Sequence, residues 1–579
     1  IPFLFATGLI GEFLSVIPTV AIFSLLFSLG EALLIMPYHC ADWLRPKSAI
    51  KKRLGWFHKI RRYYIRALIF VLGQRYVVVP CFIVIFFITL FIFIRIPNVM
   101  FYQHDTAELR IRVENPSQSS IEYTTSSVKK IEDILQKDIP KHVLKNIVSL
   151  VGLDLTGQAT VTGDHIATII VQYEDFEKRK ENAIELSNVA RDDTFANVVG
   201  PKQVDYIIEA GLPTGKPVEI RIQGNDINTL KEISYKTQKF LEEQKGVSGI
   251  SDDLVWGKPE VRVEVDERKA SIFGLDTARI AKEVRTLVDG LTVAQTRIGK
   301  EEADINLRYQ TGDVNFLSLL ESHQIQTPTG GFVALGSVAN IANSPSILDI
   351  KRYDSQRAVT VKAEVDQKIT TSVEANKEVK SFLESVISSY PGYSFKLGGE
   401  AEEYKQTMGD IMRAALAAII LIYLILASIL RSYFQPLIIM SILPFTLVGV
   451  ITGVLIRGEP ITLPAIIGMV ALLGIVVNDS LVLMDFINKR VLTMKNRVMA
   501  VVFSAKHRFR PIILTTLTTF GGLSSLMFVY RGESSFLAPM AISLGFGLLF
   551  ATLITLVLIP ALYLILDDFL NYMKGKLGV

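Results

Sequence analysis

Seven long uncharged apolar stretches constrain the fold of this 579-residue chain more than any other feature. A helix of about 20 residues crosses the roughly 30 Å hydrocarbon layer of a bilayer, so each stretch is long enough to span it. The last stretch, with 33 residues, also has room for an interfacial segment. The stretches are residues 13–30, 76–94, 414–430, 437–456, 461–478, 511–530 and 534–566.

The composition adds a large water-soluble part to this membrane protein. The chain is 50% hydrophobic with a mean hydropathy of +0.36, yet 20% of its residues are charged. Many of the charges lie in one polar block, residues 97–406, between the second and third apolar stretches. Both cysteines, Cys40 and Cys81, lie outside this block, so its stability must come from a packed core and not from disulfides.

Lysine and arginine in the short connections predict the orientation, because cytoplasmic loops hold the positive excess. The connection 45–66 and the connection 489–510 are both rich in these residues, which makes both cytoplasmic. Alternation then places the block 97–406 outside the membrane, on the non-cytoplasmic side. The net charge of +4 follows from this topology and gives no reason to expect nucleic acid as a partner.

The first basic connection has the periodicity of an interfacial amphipathic helix. Apolar residues recur there at three- and four-residue spacing, with basic residues between them. A solvated basic linker is the alternative. The apolar positions are Ile50, Leu54, Phe57, Ile60, Tyr64 and Leu68.

The polar block is predicted to contain three strand–helix–strand units, which suggests ferredoxin-like subdomains. Their strands and helices fall at 107–113, 119–136 and 165–173, then at 217–222, 226–243 and 261–265, and finally at 358–365, 371–388 and 393–397. Residues 276–343 are interpreted as an inserted subdomain. It has a helix near 278–288, a strand at 303–309 and turns at 310–313 and 328–331.

Asp479 is the residue that most needs an explanation, because it directly follows the apolar run 461–478. A charged side chain near the bilayer centre costs about 2.5 to 3.5 kcal/mol on insertion scales, and such acids usually take part in ion movement. A helix–helix hydrogen bond is the alternative. Asp485, nearer the cytoplasm, is interpreted as an ordinary interfacial acid.

No catalytic or metal-binding motif is present. The chain has no Gly-x-Ser-x-Gly, no phosphate-binding P-loop and no His-Glu-x-x-His, so neither an enzyme nor an ATP-driven pump is expected, and no cofactor. The block has few histidines and a methionine only at Met100 near its start, which argues against export of copper or silver, ions that favour soft ligands.

Four segments carry a resemblance that covers essentially the whole chain. They are 474–486, with the sequence GIVVNDSLVLMDF, 508–516, 215–224 and 327–331. The first two resemble the tenth and eleventh transmembrane helices of resistance, nodulation and cell division (RND) efflux transporters of the acriflavine-resistance type. The other two resemble the porter and docking strands of that family. On this resemblance the first span corresponds to the family's sixth and residues 1–11 to the end of the fifth, so the chain is expected to be incomplete.

The resemblance implies an α-helical polytopic membrane protein with an α+β extramembrane block. In it, 1–44 holds the end of one transmembrane helix and the next, 45–75 the cytoplasmic connection, and 76–96 another helix. Residues 97–216 form one porter subdomain, 217–275 and 344–406 a second, 276–343 the docking subdomain, and 407–579 five helices. The implied function is proton-driven export of small amphiphilic molecules by an inner-membrane homotrimer with a periplasmic adaptor and an outer-membrane channel.

Four residues take proton-relay positions by this resemblance. Asp479 is the proposed carrier, and Asn478 beside it stands where well-known members have lysine, so the charge partnership must differ here. Arg508 and Thr515 match an arginine and a threonine seven residues apart, on one helix face. Arg508 could instead anchor the helix at the cytoplasmic surface, and Thr515 could bond back to a carbonyl.

The turn-rich segment 152–163 takes the position of the family's substrate-gating loop. Leu153, Leu155 and Thr156 are its candidate substrate contacts, although drug pumps usually place aromatic residues there. An ordinary hairpin turn is the alternative. The glycine pair Gly521–Gly522 and the glycines Gly545 and Gly547 are predicted to allow close helix packing.

Two hypotheses from other classes remain. A sterol-sensing membrane receptor would share the topology without a proton requirement, whereas a protein-secretion accessory would use protons but export no small molecule. Asp479 argues against the first, and the large porter and docking block argues against the second.

Overall fold

The computed structural model describes residues 8–43, 56–102, 105, 107–156, 160–176, 178–207, 215–256, 260–299, 301–308, 316–344, 347–528 and 536–577. In chain order its α-helices are α1 (Gly8–Gly30), α2 (Met36–Trp43), α3 (Trp56–Gly73), α4 (Arg75–Arg95), α5 (Ile121–Asp138), α6 (Ala183–Asn197), α7 (Ile227–Glu242), α8 (Glu267–Ile272), α9 (Thr277–Asp289), α10 (Phe316–Ser322), α11 (Leu335–Val338), α12 (Ser372–Ile387), α13 (Gly399–Leu430), α14 (Gln435–Met440), α15 (Thr446–Arg457), α16 (Leu463–Val491), α17 (Arg497–Phe528) and α18 (Ala538–Leu577). A π-helical turn, Glu31–Ile35, joins α1 to α2, and a 3₁₀ turn, Leu443–Phe445, joins α14 to α15.

The strands are β1 (Asn98–Val99), β2 (Glu108–Glu114), β3 (Leu144–Asp154), β4 (Val161–Tyr173), β5 (Gln203–Ile207), β6 (Val218–Gly224), β7 (Val247–Asp252), β8 (Val255–Trp256), β9 (Glu260–Val265), β10 (Leu291–Ile298), β11 (Glu301–Leu307), β12 (Gln324–Gln326), β13 (Phe332–Ala334), β14 (Ala339–Ser344), β15 (Ile347–Asp349), β16 (Arg352–Tyr353), β17 (Gln356–Val365), β18 (Ser394–Leu397) and β19 (Ile461–Thr462).

The seven predicted membrane spans are all present. Among the described residues, seven helical segments are long and apolar enough to cross a bilayer, and each overlaps one predicted apolar stretch. Several extend beyond their stretch, because polar residues near the water continue the helix. The fifth, α16, continues past Asn478 to Val491, which places Asp479 inside the helix and not at its end.

The C-terminal helices pack around α18, which contacts α15, α16 and α17. Glycines allow the close approach. A Cβ on Gly449 of α15 would overlap the Phe546 carbonyl oxygen of α18 and lie 2.9 Å from Gly547 Cα, and one on Gly547 would overlap the Leu472 side chain. Gly545 packs equally closely on Met527, as predicted. The prediction for Gly521–Gly522 was wrong, because a Cβ added to either glycine would have no described neighbour within 4 Å.

Gly449→Ala should therefore destabilise the helix bundle. The Phe546 carbonyl belongs to the backbone and cannot move aside as a side chain would, and overpacking of this kind costs about 1–3 kcal/mol. The measurement is the thermal aggregation midpoint of the detergent-solubilised full-length protein. Gly522→Ala is the matched control and should leave the midpoint unchanged or slightly raised, since alanine favours a helix. Equal midpoints for the two variants would contradict the packing argument.

The predicted amphipathic connection is helical over Trp56–Gly73 and lies against the bundle. Leu68 and Leu72 are buried, the Tyr64 hydroxyl donates to the Leu556 carbonyl oxygen at 2.9 Å, and the Tyr64 ring stacks on Phe509. A solvated linker would make none of these contacts. The first part of the predicted segment, with Ile50 and Leu54, lies outside the described residues.

The first extramembrane subdomain is ferredoxin-like. Its strands pair antiparallel in the order β3-β4-β2-β5, with α5 after β2 and α6 after β4. This is the β1α1β2β3α2β4 connectivity of that fold. Alternate residues of β2 point inwards, so Leu109, Ile111 and Val113 are fully buried and pack on Ile131 of α5.

The second extramembrane subdomain is also ferredoxin-like, and it merges the two further units that the sequence predicted. Its four main strands have the order β18-β6-β17-β7, with α7 after β6 and α12 after β17, and the short strand β16 also pairs with β17. The interpretation of 261–265 as a strand of this sheet was wrong, because β9 pairs with β14 elsewhere. The strand that follows α7 is β7, whose sequence VSGISD lacks the apolar alternation that would have indicated a strand.

Residues Asp253–Arg352, with Pro116–Ser120, form a separate compact unit. It contains the predicted helix and strand as α9 and β11, and it includes the predicted insertion 276–343. Its core includes Leu275, Ile280, Ile325 and Leu335. The predicted turn 328–331 is closed by Thr327 N–H donating to the Gly331 carbonyl oxygen at 2.8 Å, while the turn at 310–313 lies outside the described residues.

Candidate functional site

Asp479 and Thr515 meet between α16 and α17. Asp479 is the seventeenth residue of the 29-residue helix α16, about 24 Å along the axis from its start, so it lies near the middle of the span. The Thr515 side chain lies beside the Asp479 carboxylate. The hydrogen bond that its hydroxyl makes in this structure is to the Ile512 carbonyl oxygen on its own helix, at 2.8 Å. The structure thus brings together two residues that lie 36 positions apart in the sequence.

Buried hydroxyls continue from this pair towards α18. Ser480, next to Asp479, lies 3.4 Å from the Thr555 hydroxyl, and Thr516, next to Thr515, lies 2.7 Å from the Thr552 hydroxyl. All four side chains are buried. The sequence alone did not single out these residues. Ser480 and Thr516 adjoin Asp479 and Thr515 in the chain, but no local pattern shows that the last predicted span supplies their partners.

Among the described residues, neither the Asn478 side chain nor the Arg508 side chain makes a hydrogen bond or an ion pair with Asp479. The Asn478 side chain is exposed and makes no hydrogen bond with any residue that the structure describes. The Arg508 guanidinium lies over the Phe486 ring, 4.7 Å from its centroid, and its Nε is buried without a hydrogen-bond partner among the described residues. Arg508 is seven residues before Thr515, or about 10.5 Å along the helix.

The predicted substrate loop begins at the end of β3, and hydrogen bonds to Thr168 of β4 attach it to the first sheet. The Thr168 hydroxyl donates to the Leu153 carbonyl oxygen at 3.0 Å and accepts from the Leu155 N–H at 3.1 Å. The Thr156 N–H donates to the Asp154 carboxylate at 2.9 Å. Leu153, Leu155 and Thr156 are each half-buried, and residues 157–159 of the loop lie outside the described residues.

Asp154 belongs to a buried charge cluster that centres on Arg112. The guanidinium of Arg112 reaches Asp154 at 2.6 Å, Glu114 at 2.7 Å and Asp205 at 3.7 Å. The three carboxylates are buried to different degrees, with side-chain exposures of 9%, 17% and 2%. Lys202 adds a second cation at 3.1 Å from Glu114. Ion pairs of the cluster therefore link Asp154, at the start of the loop, to Arg112 of β2 and through it to Asp205 of β5.

Two pKa shifts follow from this cluster. Burial raises the pKa of the Glu114 carboxyl, but the charges of Arg112 and Lys202 outweigh it and hold the pKa below its usual value. For Asp154, burial is likewise opposed by hydrogen bonds from Thr156 and by Arg112, so its pKa is also lowered. Carboxyls with a lowered folded-state pKa add stability above their unfolded pKa. They lose it as the pH falls through the folded pKa, so the cluster weakens only in acid.

The two ferredoxin-like subdomains touch at β5 and β7, and a cavity of about 260 Å³ lies between them. The Gln203 side chain bridges the sheets, donating to the Asp205 carboxylate at 2.8 Å and to the Ser251 hydroxyl at 3.1 Å. Aromatic, acidic and basic side chains all contribute to the cavity wall. It includes Tyr102, Tyr206, Asp105, Glu185, Glu364, Asp366, Arg191 and Lys368.

Seven spans, a carboxylate in the middle of one of them, and ferredoxin-like subdomains outside the helix bundle define a polytopic membrane protein of the RND transporter class. The chain belongs to the AcrB/AcrD/AcrF family, whose model matches residues 1–567. It is therefore a multi-pass protein of the inner membrane. The family is one of transporters and not of enzymes, as the sequence predicted.

Two curated relatives are similar over about 60% of this chain. The Swarming motility protein SwrC of Bacillus subtilis (strain 168) is 26% identical over 356 residues, which cover 61% of this chain and 34% of that protein. The Cobalt-zinc-cadmium resistance protein CzcA of Cupriavidus metallidurans is 26% identical over 351 residues, which cover 60% of this chain and 33% of the relative. The matched part is thus about a third of each relative's length.

Solved structures of a heavy metal efflux pump share the fold. Crystal form I matches with a TM-score of 0.75 at 20% identity, covering 98% of this chain and 56% of the pump's chain. Crystal form II matches with a TM-score of 0.71 at 19% identity, covering 89% of this chain and 52% of the other. The chain therefore spans about half the length of these structures, and the predicted fold class is confirmed.

Proposed function

We propose that the full-length protein exports solutes from the periplasmic side of the inner membrane and that inward proton flow drives the export. The observation that carries this proposal is the position of Asp479 beside Thr515 in the middle of the span α16. Inserting an acid at this depth of the membrane costs free energy, and acids found there usually take part in ion movement. The neighbouring buried hydroxyls of Ser480 and Thr516 extend the polar environment across the helix interface.

The geometry offers a two-state proton switch. A hydroxyl has one proton, so Thr515 can donate either to the Ile512 carbonyl oxygen or to ionised Asp479. Once Asp479 is protonated, it can donate to the Thr515 oxygen, and the Thr515 proton returns to Ile512. Binding and release of a proton therefore exchange donor and acceptor in the hydrogen bond between α16 and α17. This exchange couples proton transfer to the relative position of the two helices.

Asn478 and Arg508 complete the proposed relay. Asn478 offers only hydrogen bonds where other family members have a charge, so it neither pairs with nor repels the carboxylate. Arg508 provides the cytoplasmic-side positive charge two turns from Thr515, and its buried unpartnered Nε is free to take an acceptor. An anchoring role at the membrane surface is the alternative for Arg508.

For the substrate we propose small amphiphilic molecules that carry a positive charge. Tyr102 and Tyr206 line the cavity between the subdomains together with four carboxylates and two cations, Arg191 and Lys368. The excess of carboxylates beside aromatic rings suits organic cations. Leu153, Leu155 and Thr156 are proposed as contacts on the neighbouring loop. Rocking of the two subdomains would open and close the route. A homotrimer with a periplasmic adaptor and an outer-membrane channel completes the proposed assembly, in line with the family.

Export of divalent metal ions is a second candidate, because one relative is named a cobalt-zinc-cadmium resistance protein. Within the part of the chain that the structure describes, no group of three or more His, Cys, Asp or Glu side chains could hold a metal ion. The cavity between the subdomains would bind such ions only through carboxylate oxygens, which suit hard cations better than zinc or cadmium.

Substrate accumulation separates these candidates. Cells that express the full-length protein, or the empty vector, are loaded with ethidium or with zinc, cobalt or cadmium, and the retained amount is measured with and without a protonophore. We expect less ethidium in expressing cells, with the difference lost on collapse of the proton gradient. Lower retention of a metal alone would support metal export. No difference for any solute would favour the receptor or the secretion accessory.

A further inference from the structure

Pro560 interrupts the backbone hydrogen bonds of α18. It lies in the interior of this 40-residue helix. Proline has no N–H, so the Leu556 carbonyl oxygen, four residues earlier, lacks the donor that it has in a regular helix. Leu556 is 2% exposed, and Ile559 and Ala561 are fully buried, so the interrupted turn is shielded from water. A buried carbonyl of this kind requires a donor from a neighbouring element.

Tyr64 of α3 supplies the missing donor. Its hydroxyl donates to the Leu556 carbonyl oxygen at 2.9 Å, although the two residues are 492 positions apart in the chain. The Tyr64 ring is held by Phe509 of α17, with the ring centroids 4.5 Å apart and the planes 16° from parallel. Phe57, two turns earlier on α3, packs on the same Phe509 ring at 5.7 Å. A side chain of α3 therefore takes the place of the backbone N–H that residue 560 lacks.

The interrupted turn directly follows the buried hydroxyls of α18. Leu556 comes after Thr555, whose hydroxyl lies 3.4 Å from that of Ser480 on α16. Thr552, one turn before Leu556, has its hydroxyl 2.7 Å from that of Thr516 on α17. These hydroxyls border the candidate proton site. A change of bend at the interrupted turn would therefore move them relative to α16 and α17.

Ion pairs contact the part of α18 that follows the proline. Asp568 accepts from Arg75, the first residue of α4, at 2.7 Å, and Asp567 pairs with Arg497 of α17. Because α4 begins directly after α3, one stretch of chain contacts α18 both at the interrupted turn and beyond it. The two parts of α18 thus have different polar partners, with hydroxyls of α16 and α17 before the proline and cations of α4 and α17 after it.

We propose that Tyr64 is the latch of a hinge in α18 at Pro560 and is thereby a positioning residue for the hydroxyls of Thr552 and Thr555. While the latch is closed, the Leu556 carbonyl is paired and the two parts of α18 keep one angle. When the Tyr64 hydroxyl leaves, the carbonyl has no donor, and α18 bends until another group or water pairs with it. The latch concerns α18 and α3 alone, and only its link to proton transfer rests on the proposed function.

Amide hydrogen exchange of the full-length protein tests the latch through a double-mutant cycle. Tyr64→Phe removes the hydroxyl but keeps the ring on Phe509, and the protection of the α18 amides around the interrupted turn should fall about tenfold. Pro560→Ala restores the N–H of residue 560, so in that background Tyr64→Phe should change the protection by less than about twofold. Tyr63→Phe is the matched control, since Tyr63 is 70% exposed, and it should leave the protection unchanged.

Equal loss of protection with proline and with alanine at residue 560 would overturn the latch, as would unchanged protection in Tyr64→Phe. The thermal aggregation midpoint verifies that each variant is folded. If Tyr64→Phe alone does not fold, folding of the double variant Tyr64→Phe/Pro560→Ala supports the latch, and failure of the double variant to fold overturns it.

Ethidium efflux by the Pro560→Ala protein tests the positioning role. Alanine favours a helix, so this variant should be at least as thermostable as the wild type, whereas loss of the hinge should lower its efflux rate. Normal efflux by the more stable variant would show that the proline is only structural and would overturn the positioning role. Absence of efflux from the wild type would overturn the proposed function together with the positioning role. The exchange cycle decides the latch in either case, so the two failures are distinguishable.

Discussion

Asp479→Asn is expected to abolish proton-driven efflux by the full-length protein. Asparagine has the shape of aspartate and can still hydrogen-bond to Thr515, but it cannot take up or release a proton. A positioned side chain contributes on the order of 100-fold or more to a proton-transfer step. The efflux rate of a fluorescent cation should therefore fall to background in everted or intact vesicles, while the amount of protein in the membrane stays unchanged.

Asp485→Asn is the matched control for this result. Asp485 is on the same helix, six residues nearer the cytoplasm, and it pairs with Lys489 at 2.7 Å on the surface. An exposed pair of this kind contributes about 0–1 kcal/mol, so efflux should survive its removal. Efflux that survives Asp479→Asn, or that is lost equally in both variants, would show that Asp479 is structural.

Arg112→Met should destabilise the first ferredoxin-like subdomain by about 3–5 kcal/mol, the usual cost of leaving buried carboxylates without their cation. Asp154, Glu114 and Asp205 would all lose the same partner. Because unfolding of a multidomain membrane protein is not two-state, the suitable measurement is local hydrogen exchange of the β2 and β4 amides. Their protection should fall. The loop that begins at Leu153 should also become more accessible to protease.

Arg110→Met is the control on the same strand. Arg110 contacts Glu108 at 2.8 Å. The exposed fraction of the side chain is 34% for Arg110 and 39% for Glu108. This surface pair should contribute less than about 1 kcal/mol. Equal loss of amide protection in the two variants would show that the Arg112 cluster contributes no more than an ordinary surface ion pair. If Arg112→Met lowers the amide protection but leaves efflux normal, the cluster contributes to the stability of the subdomain and not to transport.

The charge cluster shows where sequence reasoning was insufficient. Arg112 and Asp205 have no distinctive spacing, and each is an ordinary polar residue of an alternating strand. Only the antiparallel pairing of β2 with β5 makes them neighbours, with Arg112 directly opposite Asp205 in the register.

The sequence by itself determined the seven spans and the separation of the membrane part from the polar block, because hydrocarbon solubility and span length are properties of a contiguous segment. It also singled out Asp479, since a carboxylate in an apolar run is conspicuous without any structure, whereas Thr515 was a candidate only through the resemblance to the family. The tertiary structure alone decided which sheet β7 and β9 join. It alone brought Thr515 to Asp479 and the hydroxyls of α18 to both helices. Strand pairing and helix contacts depend on residues far apart in the chain, and local patterns carry no information about such partners.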